Sequence, residues 1–186
     1  MADDVGYDVA YDLERFCVDT RATLQSNDAL PAKLARVGER LAALLANPAF
    51  VASAFAGDTP PGQRLLYRDA ATDFHVLAHV QRGGKRGNPH SHGTSWAVYG
   101  SARGYTDMTE WRRVNPESGP GAVLEATAKY RLDFGKTHFY APHVIHSTAH
   151  PEQAWVIRVT GTDLDQLPRF RFDPRRDRIV EHEVGS

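Results

Sequence analysis

The feature that most constrains this chain is its texture beyond residue 60. Short runs of β-prone residues follow one another there, separated by glycine, proline and polar clusters and by gaps the size of hairpins. Strands are expected near Arg64 to Asp69, Asp73 to Gln81, Ser95 to Ala102, Tyr105 to Arg113, Val123 to Phe134, Thr137 to Tyr140, Ile145 to Ala149, Gln153 to Thr160 and Arg178 to Glu183. So many short strands close most simply as a sandwich or a barrel.

The part before this region reads differently. Val9, Leu13, Phe16, Cys17, Thr20 and Leu24 recur at helical spacing over residues 8 to 25. Leu34, Val37, Leu41, Leu44 and Leu45 repeat the pattern over residues 31 to 46. Pro31 suits a helix start and Asn47-Pro48 a stop, so two amphipathic helices are expected, packed outside the β region. The turn-rich Gly57-Asp58-Thr59-Pro60-Pro61-Gly62 separates the two parts. With 186 residues, one domain is expected, a helical segment over 1–57 and a β-barrel over 62–183.

Charge and composition narrow the functions. A formal net charge of -1 gives no bulk field toward nucleic acid or an anionic membrane. The arginine-rich run from Arg169 to Arg178 is interleaved with aspartates and reads as a solvated strand or turn. Cys17 is the one cysteine, which excludes an internal disulfide and a cysteine-cluster zinc site. No apolar run approaches the roughly 18 residues of a membrane span. The opening MADDVGYDVAYD lacks the basic and apolar regions of a secretion signal, so a cytoplasmic protein is expected. No pattern in the sequence specifies an oligomeric state.

Nine histidines are spread unevenly, and the informative ones are paired. In Gly87-Asn88-Pro89-His90-Ser91-His92-Gly93, alternation along an extended chain points both imidazoles to one face. Such a pair can grip one metal if a third ligand arrives from elsewhere. The segment Phe139-Tyr140-Ala141-Pro142-His143-Val144-Ile145-His146 offers one, because a proline turn feeding a short apolar stretch can aim His146 inward. His143 falls in the turn itself, and His138 and His150 lie on either side.

These residues resemble a known family. GKRGNPHSHGTSWAVYG, from Gly84 to Gly100, resembles the first cupin motif, and APHVIHS resembles the second. The likeness is closest to the cysteine dioxygenase-like, or thiol dioxygenase, branch, and it spans roughly residues 60 to 182. It implies an all-β cupin barrel, the double-stranded β-helix of jelly-roll type, with the helices outside. It also implies metal ligation by His90, His92 and His146. Other cupins add a glutamate soon after the histidine pair, but Gly93-Thr94-Ser95-Trp96-Ala97 holds no carboxylate, as in the thiol dioxygenases. Fe(2+) is the implied metal, with nickel, manganese and zinc as alternatives; three histidines also suit a zinc hydrolase.

In that branch the partners are a small-molecule substrate and dioxygen, and both oxygen atoms pass to sulfur. An arginine before the histidine pair holds the substrate carboxylate. Arg64 in Gln63-Arg64-Leu65-Leu66-Tyr67-Arg68 is the match by position, with Arg68 as understudy. The family's late-strand serine, histidine and tyrosine would align with Val156, Arg158 and Thr160, so that relay is lost or replaced. Arg158 is then a second candidate for a substrate anion. Tyr99, Tyr105, Tyr140 and Trp96 are candidate pocket lining, with Tyr99 placed among the catalytic candidates. The lost relay opens two alternatives: a three-histidine dioxygenase for a non-thiol compound such as a diketone, and a non-catalytic cupin that binds a metal or small ligand.

Overall fold

A computed structural model describes residues 11–55, 60–116, 121–173 and 178–182. Three helices come first: α1 (Leu13–Gln25), α2 (Leu30–Leu45) and α3 (Pro48–Ala54). Asp12 caps α1 by accepting a hydrogen bond from the Arg15 amide at 2.8 Å, and Pro31 opens α2. Val9, expected in the first helix, lies outside the described residues.

The third helix corrects the expected stop. Asn47-Pro48 does end α2, but it also begins α3, because the Asn47 side chain accepts from the amides of Ala49 and Phe50 and Pro48 carries the φ of a first turn. Seven residues are too few to show a helical period.

The strands are β1 (Gly62–Arg68), β2 (His75–Gln81), β3 (Lys85–Arg86), β4 (Ala97–Arg103), β5 (Thr106–Arg113), β6 (Leu124–Leu132), β7 (Thr137–Tyr140), β8 (Ile145–His150), β9 (Ala154–Thr160), β10 (Arg169–Asp173) and β11 (Arg178–His182). All nine expected strands occur within a few residues, although Glu183 and the turn residues Gly57 to Thr59 lie outside the described residues. The short β3 was not expected, and β10 occupies the run read as a solvated strand or turn. Every pairing is antiparallel.

One sheet runs β1-β2-β9-β4-β7 and faces a second, β3-β8-β5-β6. Between β2 and β9 the chain passes from one sheet to the other at every step except the β5–β6 hairpin, and helices cover one side only. This is the expected all-β cupin barrel with its helices outside.

The main apolar core is not inside the barrel. Phe16 of α1 and Leu34, Leu41 and Leu44 of α2 are fully buried against Val76, Val98, Ile157 and Val159 on the outer face of the five-stranded sheet. Gly100 lets α2 come this close, since a Cβ there would stand 2.6 Å from a Leu45 methyl and 2.9 Å from one of Leu41. A polar clamp fixes α1 to the end of β1: the Arg21 Nε and the Tyr67 hydroxyl both donate to Asp69 Oδ1, at 2.8 and 2.9 Å. No helix among the described residues is long and apolar enough to cross a membrane.

Candidate metal centre

The histidine pair lies on an extended segment held between β8 and β10. His90 and His146 exchange backbone hydrogen bonds at 2.9 and 3.0 Å, while Ser91 donates to Phe170 and Phe172 donates to Pro89. Alternation then turns His90 and His92 to the same side. Gly93 ends the segment at φ 58°, and a Cβ there would meet the Pro168 carbonyl at 2.5 Å, so only glycine fits this turn.

His146 enters from the first turns of β8. Ahead of it, Pro142-His143-Val144 forms a tight turn in which His143 takes a φ of 66° and its amide donates to the Gly93 carbonyl. His143 is exposed, whereas His146 has no exposed surface. Among the described residues, His90, His92 and His146 form the one cluster able to hold a metal, with ligand atoms all within 4.8 Å of one another. No carboxylate belongs to it.

The chemistry of the three rings fits a divalent ion. Burial, the largest cause in each case, pushes His90 down to about 4 and holds His92 and His146 well below the usual histidine range. All three are therefore neutral at pH 7, the form that donates a lone pair to a metal. Nδ1 of His90 lies 3.1 Å from the Asn88 carbonyl, and Nδ1 of His146 lies 3.3 Å from that of Val144. A carbonyl can only accept, so each Nδ1 carries the hydrogen and each Nε2 keeps its lone pair for the centre of the cluster. Nε2 of His146 is buried without a hydrogen-bond partner. A metal would satisfy it. Tyr140 stacks on the His146 ring at 3.9 Å and 6°, and its hydroxyl pairs with that of Tyr130 at 2.7 Å, which fixes the ring plane.

A cavity of about 580 Å³ opens beside the cluster. His90, Tyr99, Met108, Val156 and Arg158 line it. The Tyr99 hydroxyl is 3.2 Å from Nε2 of His92, so this tyrosine reaches the ligand set itself. Arg158 pairs in register with Tyr99, and its Nε is buried without a partner. Among the described residues its guanidinium makes one hydrogen bond, a long one of 3.5 Å to the Gln63 amide oxygen.

Arg64 does not enter this cavity, contrary to expectation. Gln63 takes the inward position on β1, so its neighbour points outward. The Arg64 guanidinium instead donates to the carbonyls of Ser53 and Ala54, the last turn of α3, where a cation meets unpaired carbonyls. Arg68 is exposed and paired with Asp73 at 2.8 Å. Tyr105 lies under the Arg131 guanidinium, and Trp96 belongs to the helix-sheet core, so neither lines the cavity.

Several cavity residues were not expected: His79, His150, Lys85, Arg86, Arg169 and Arg171. The period-two spacing of His75 and His79 was a usable signal for the first. The run from Arg169 onward is a strand, as one of its two readings had it, with Phe170 and Arg171 exposed; what the sequence did not show is that β10 passes beside the histidine pair and brings Arg169 and Arg171 to the edge of the cavity.

No protein-family model matches the chain, and no curated protein matches it. Solved structures give partial likenesses. A conserved protein of unknown function from Streptococcus pyogenes is 15% identical, with a TM-score of 0.42 over 57% of this chain and 77% of its own. KdgF from a Halomonas species is 17% identical, with a TM-score of 0.41 over 60% of this chain and 91% of its own. A cupin-2 domain protein from Shewanella frigidimarina is 13% identical, with a TM-score of 0.40 over 53% and 78%. These likenesses carry no chemistry across to this chain.

Proposed function

We propose that the chain is a mononuclear metal-dependent cupin enzyme, a non-heme iron dioxygenase resembling the thiol dioxygenases and acting on a small anionic organic substrate. One observation carries this reading: three neutral imidazoles converge, with no carboxylate among them, at the wall of a cavity that also receives Arg158. A divalent ion held by three neutral ligands keeps its full charge and its open positions, which suits an anionic substrate.

Iron(II), when bound, supplies adjacent open positions for substrate and dioxygen and the redox chemistry between them. His90 and His146 would hold it through Nε2, with His92 as the third ligand. Arg158 would neutralise the substrate's anionic group, replacing Arg64 in that role. Tyr99 would offer a hydroxyl beside the ligand set, able to donate to a group bound there. Met108, Leu132 and Val156 wall the same cavity with apolar surface and keep water from that side.

A second reading concerns the substrate. Val156, Arg158 and Thr160 share the inner face of β9 and supply neither imidazole nor phenol. That favours a non-thiol compound such as a diketone over cysteine. Losing a positioned acid or donor commonly costs about a hundredfold or more in rate, so the chain is expected to be a poor cysteine dioxygenase.

The test is metal analysis of freshly isolated protein, then oxygen uptake after anaerobic iron(II) loading with cysteine, 3-mercaptopropionate and a panel of diketones. Uptake with a diketone and not with cysteine supports the second reading, and efficient sulfinic acid formation from cysteine overturns it. Zinc in the isolated protein points to hydrolysis, and nickel or manganese changes the metal while keeping the site. Full iron occupancy with no uptake on any substrate leaves a non-catalytic metal- or ligand-binding cupin.

A further inference from the structure

The cavity beside the three histidines is strongly and one-sidedly cationic. Arg158 enters from β9 in the five-stranded sheet, Lys85 and Arg86 from β3 in the facing sheet, and Arg169 and Arg171 from β10. Among the described lining residues there is no aspartate and no glutamate. Three independent elements thus bring positive charge to one space of about 580 Å³.

That charge is poorly answered within the protein. Nε of Arg158 and Nε of Arg169 are both buried without a hydrogen-bond partner. Asp165 pairs with the other end of Arg169, at 2.8 Å, from an exposed position outside the cavity lining. Burial first, then repulsion from Arg158 and Arg171, lowers Arg169 from the ordinary arginine range against the pull of Asp165. Arg158 and Arg169, each partly buried with an unpartnered Nε, cost free energy that a bound anion would recover, while Lys85, Arg86 and Arg171 stand exposed at the edge of the cavity and add to its positive field. A divalent metal at the histidines adds to the same excess.

We infer that the ligand of this cavity carries at least two negative charges, as a small dicarboxylate or phosphate monoester does, with Arg158 holding one end and Arg169 with Arg171 the other. The inference rests on the proposed function in taking the cavity for the substrate site, and it narrows that substrate from an anion to a dianion. A single carboxylate answers Arg158 and leaves the buried Nε of Arg169, whose other end pairs with Asp165, without a partner. A second anionic group gives the planar guanidinium of Arg169 the two-pronged partner it lacks. The role falls on residues of this chain's own β10, separate from the expected carboxylate arginine on β1.

The test is calorimetric titration of the full chain loaded with zinc(II), which needs no oxygen chemistry. Malonate and succinate form one arm, phosphoglycolate a second, and acetate, propionate and 3-mercaptopropionate the monoanionic arm. Dianions are expected to bind at least about tenfold more tightly than monoanions of similar size, one charge-assisted pair being worth that ratio or more. Whichever dianion arm binds more tightly names the second group as carboxylate or phosphate. Arg158→Gln and Arg169→Gln should each weaken the dianion about tenfold, with zinc content unchanged and monoanion binding little altered by Arg169→Gln. Should Arg158→Gln fail to fold, Arg169→Gln and Arg171→Gln, on an edge strand, carry the test alone. Equal affinity for dianions and monoanions overturns the inference, as does unchanged dianion affinity in the β10 variants. Tight dianion binding without oxygen uptake upholds it while removing the oxygenase reading. Turnover of a monoanion or neutral compound, with no preference for dianions, removes it and leaves the oxygenase.

Discussion

The two faces of the five-stranded sheet are built from alternate residues of the same strands, yet they behave as different materials. On β2, Val76, Ala78 and Val80 join the helix-facing core, while His75 and His79 are buried on the other side. On β9, Ile157 and Val159 go to the helices, and Val156 and Arg158 to the cavity. The outer face is a dry apolar layer sealed by α1 and α2. The inner face holds imidazoles and a guanidinium, and the orphaned nitrogens of His75, His79, His146 and Arg158 all belong to the barrel strands. Stability is supplied mainly from outside the barrel. That leaves the lumen free to bury groups that cost free energy until something binds them.

The largest effect should come from the inner face. His146→Ala removes a ligand outright, which costs more than the roughly 10–100-fold that losing an outer-shell partner costs in metal affinity. Metal analysis after dialysis should fall from one ion per chain to almost none, with the melting temperature of the variant close to that of metal-free wild type. One ion retained per chain would break the assignment.

Next comes the outer face. Leu41 is fully buried between α2 and β4, so Leu41→Ala should lower unfolding free energy in urea by about 2–5 kcal/mol. Metal affinity of the folded variant should stay within about twofold of wild type. Loss of metal in step with stability would show that the two faces are coupled.

A smaller effect belongs to the clamp between α1 and β1. Burial works to raise the Asp69 carboxyl, but hydrogen bonds from Arg21, Thr72 and Tyr67 outweigh it and hold the group well below the usual carboxylate range. A carboxyl depressed in the folded chain stabilises it fully above its unfolded value of about 3.9 and loses that contribution as pH falls below it. Asp69→Asn should therefore cost about 2 kcal/mol at pH 7. It should also flatten the loss of stability that wild type shows as pH falls from 5 to below 4, followed by denaturant titration at each pH. An unchanged acid profile would remove Asp69 from the clamp.

The smallest is Asn47→Ala, which deletes the cap of α3 and should cost about 1 kcal/mol. Thermal melts should register it while metal content stays the same. Because Arg64 holds the other end of α3, Arg64→Ala should resemble this variant and not His146→Ala.

Much of this was readable without coordinates. The short β-prone runs between glycine, proline and polar clusters located the strands, the period of the apolar residues located α1 and α2, and the paired His90 and His92 with the proline-led His146 marked the three-histidine cluster. These are local signals: the pleat turns residues two apart to one face, and the turn before β8 is written in Pro142 and the residues around it. Alternation states which residues share a face, but not which face becomes the lumen. For Arg64 the answer depended on β1 setting Gln63 inward and on α3 ending nearby, and the spacing of the sequence carries neither fact. The two-residue β3 is too short to show any period, and β10 reads equally as a solvated strand or a turn until its pairing with β11 and the histidine segment is formed. The sequence by itself determined the barrel and its three histidines. Only tertiary structure decided which arginines face them, because strand pairing is a contact between distant residues and a shift of one position sends a side chain to the opposite face.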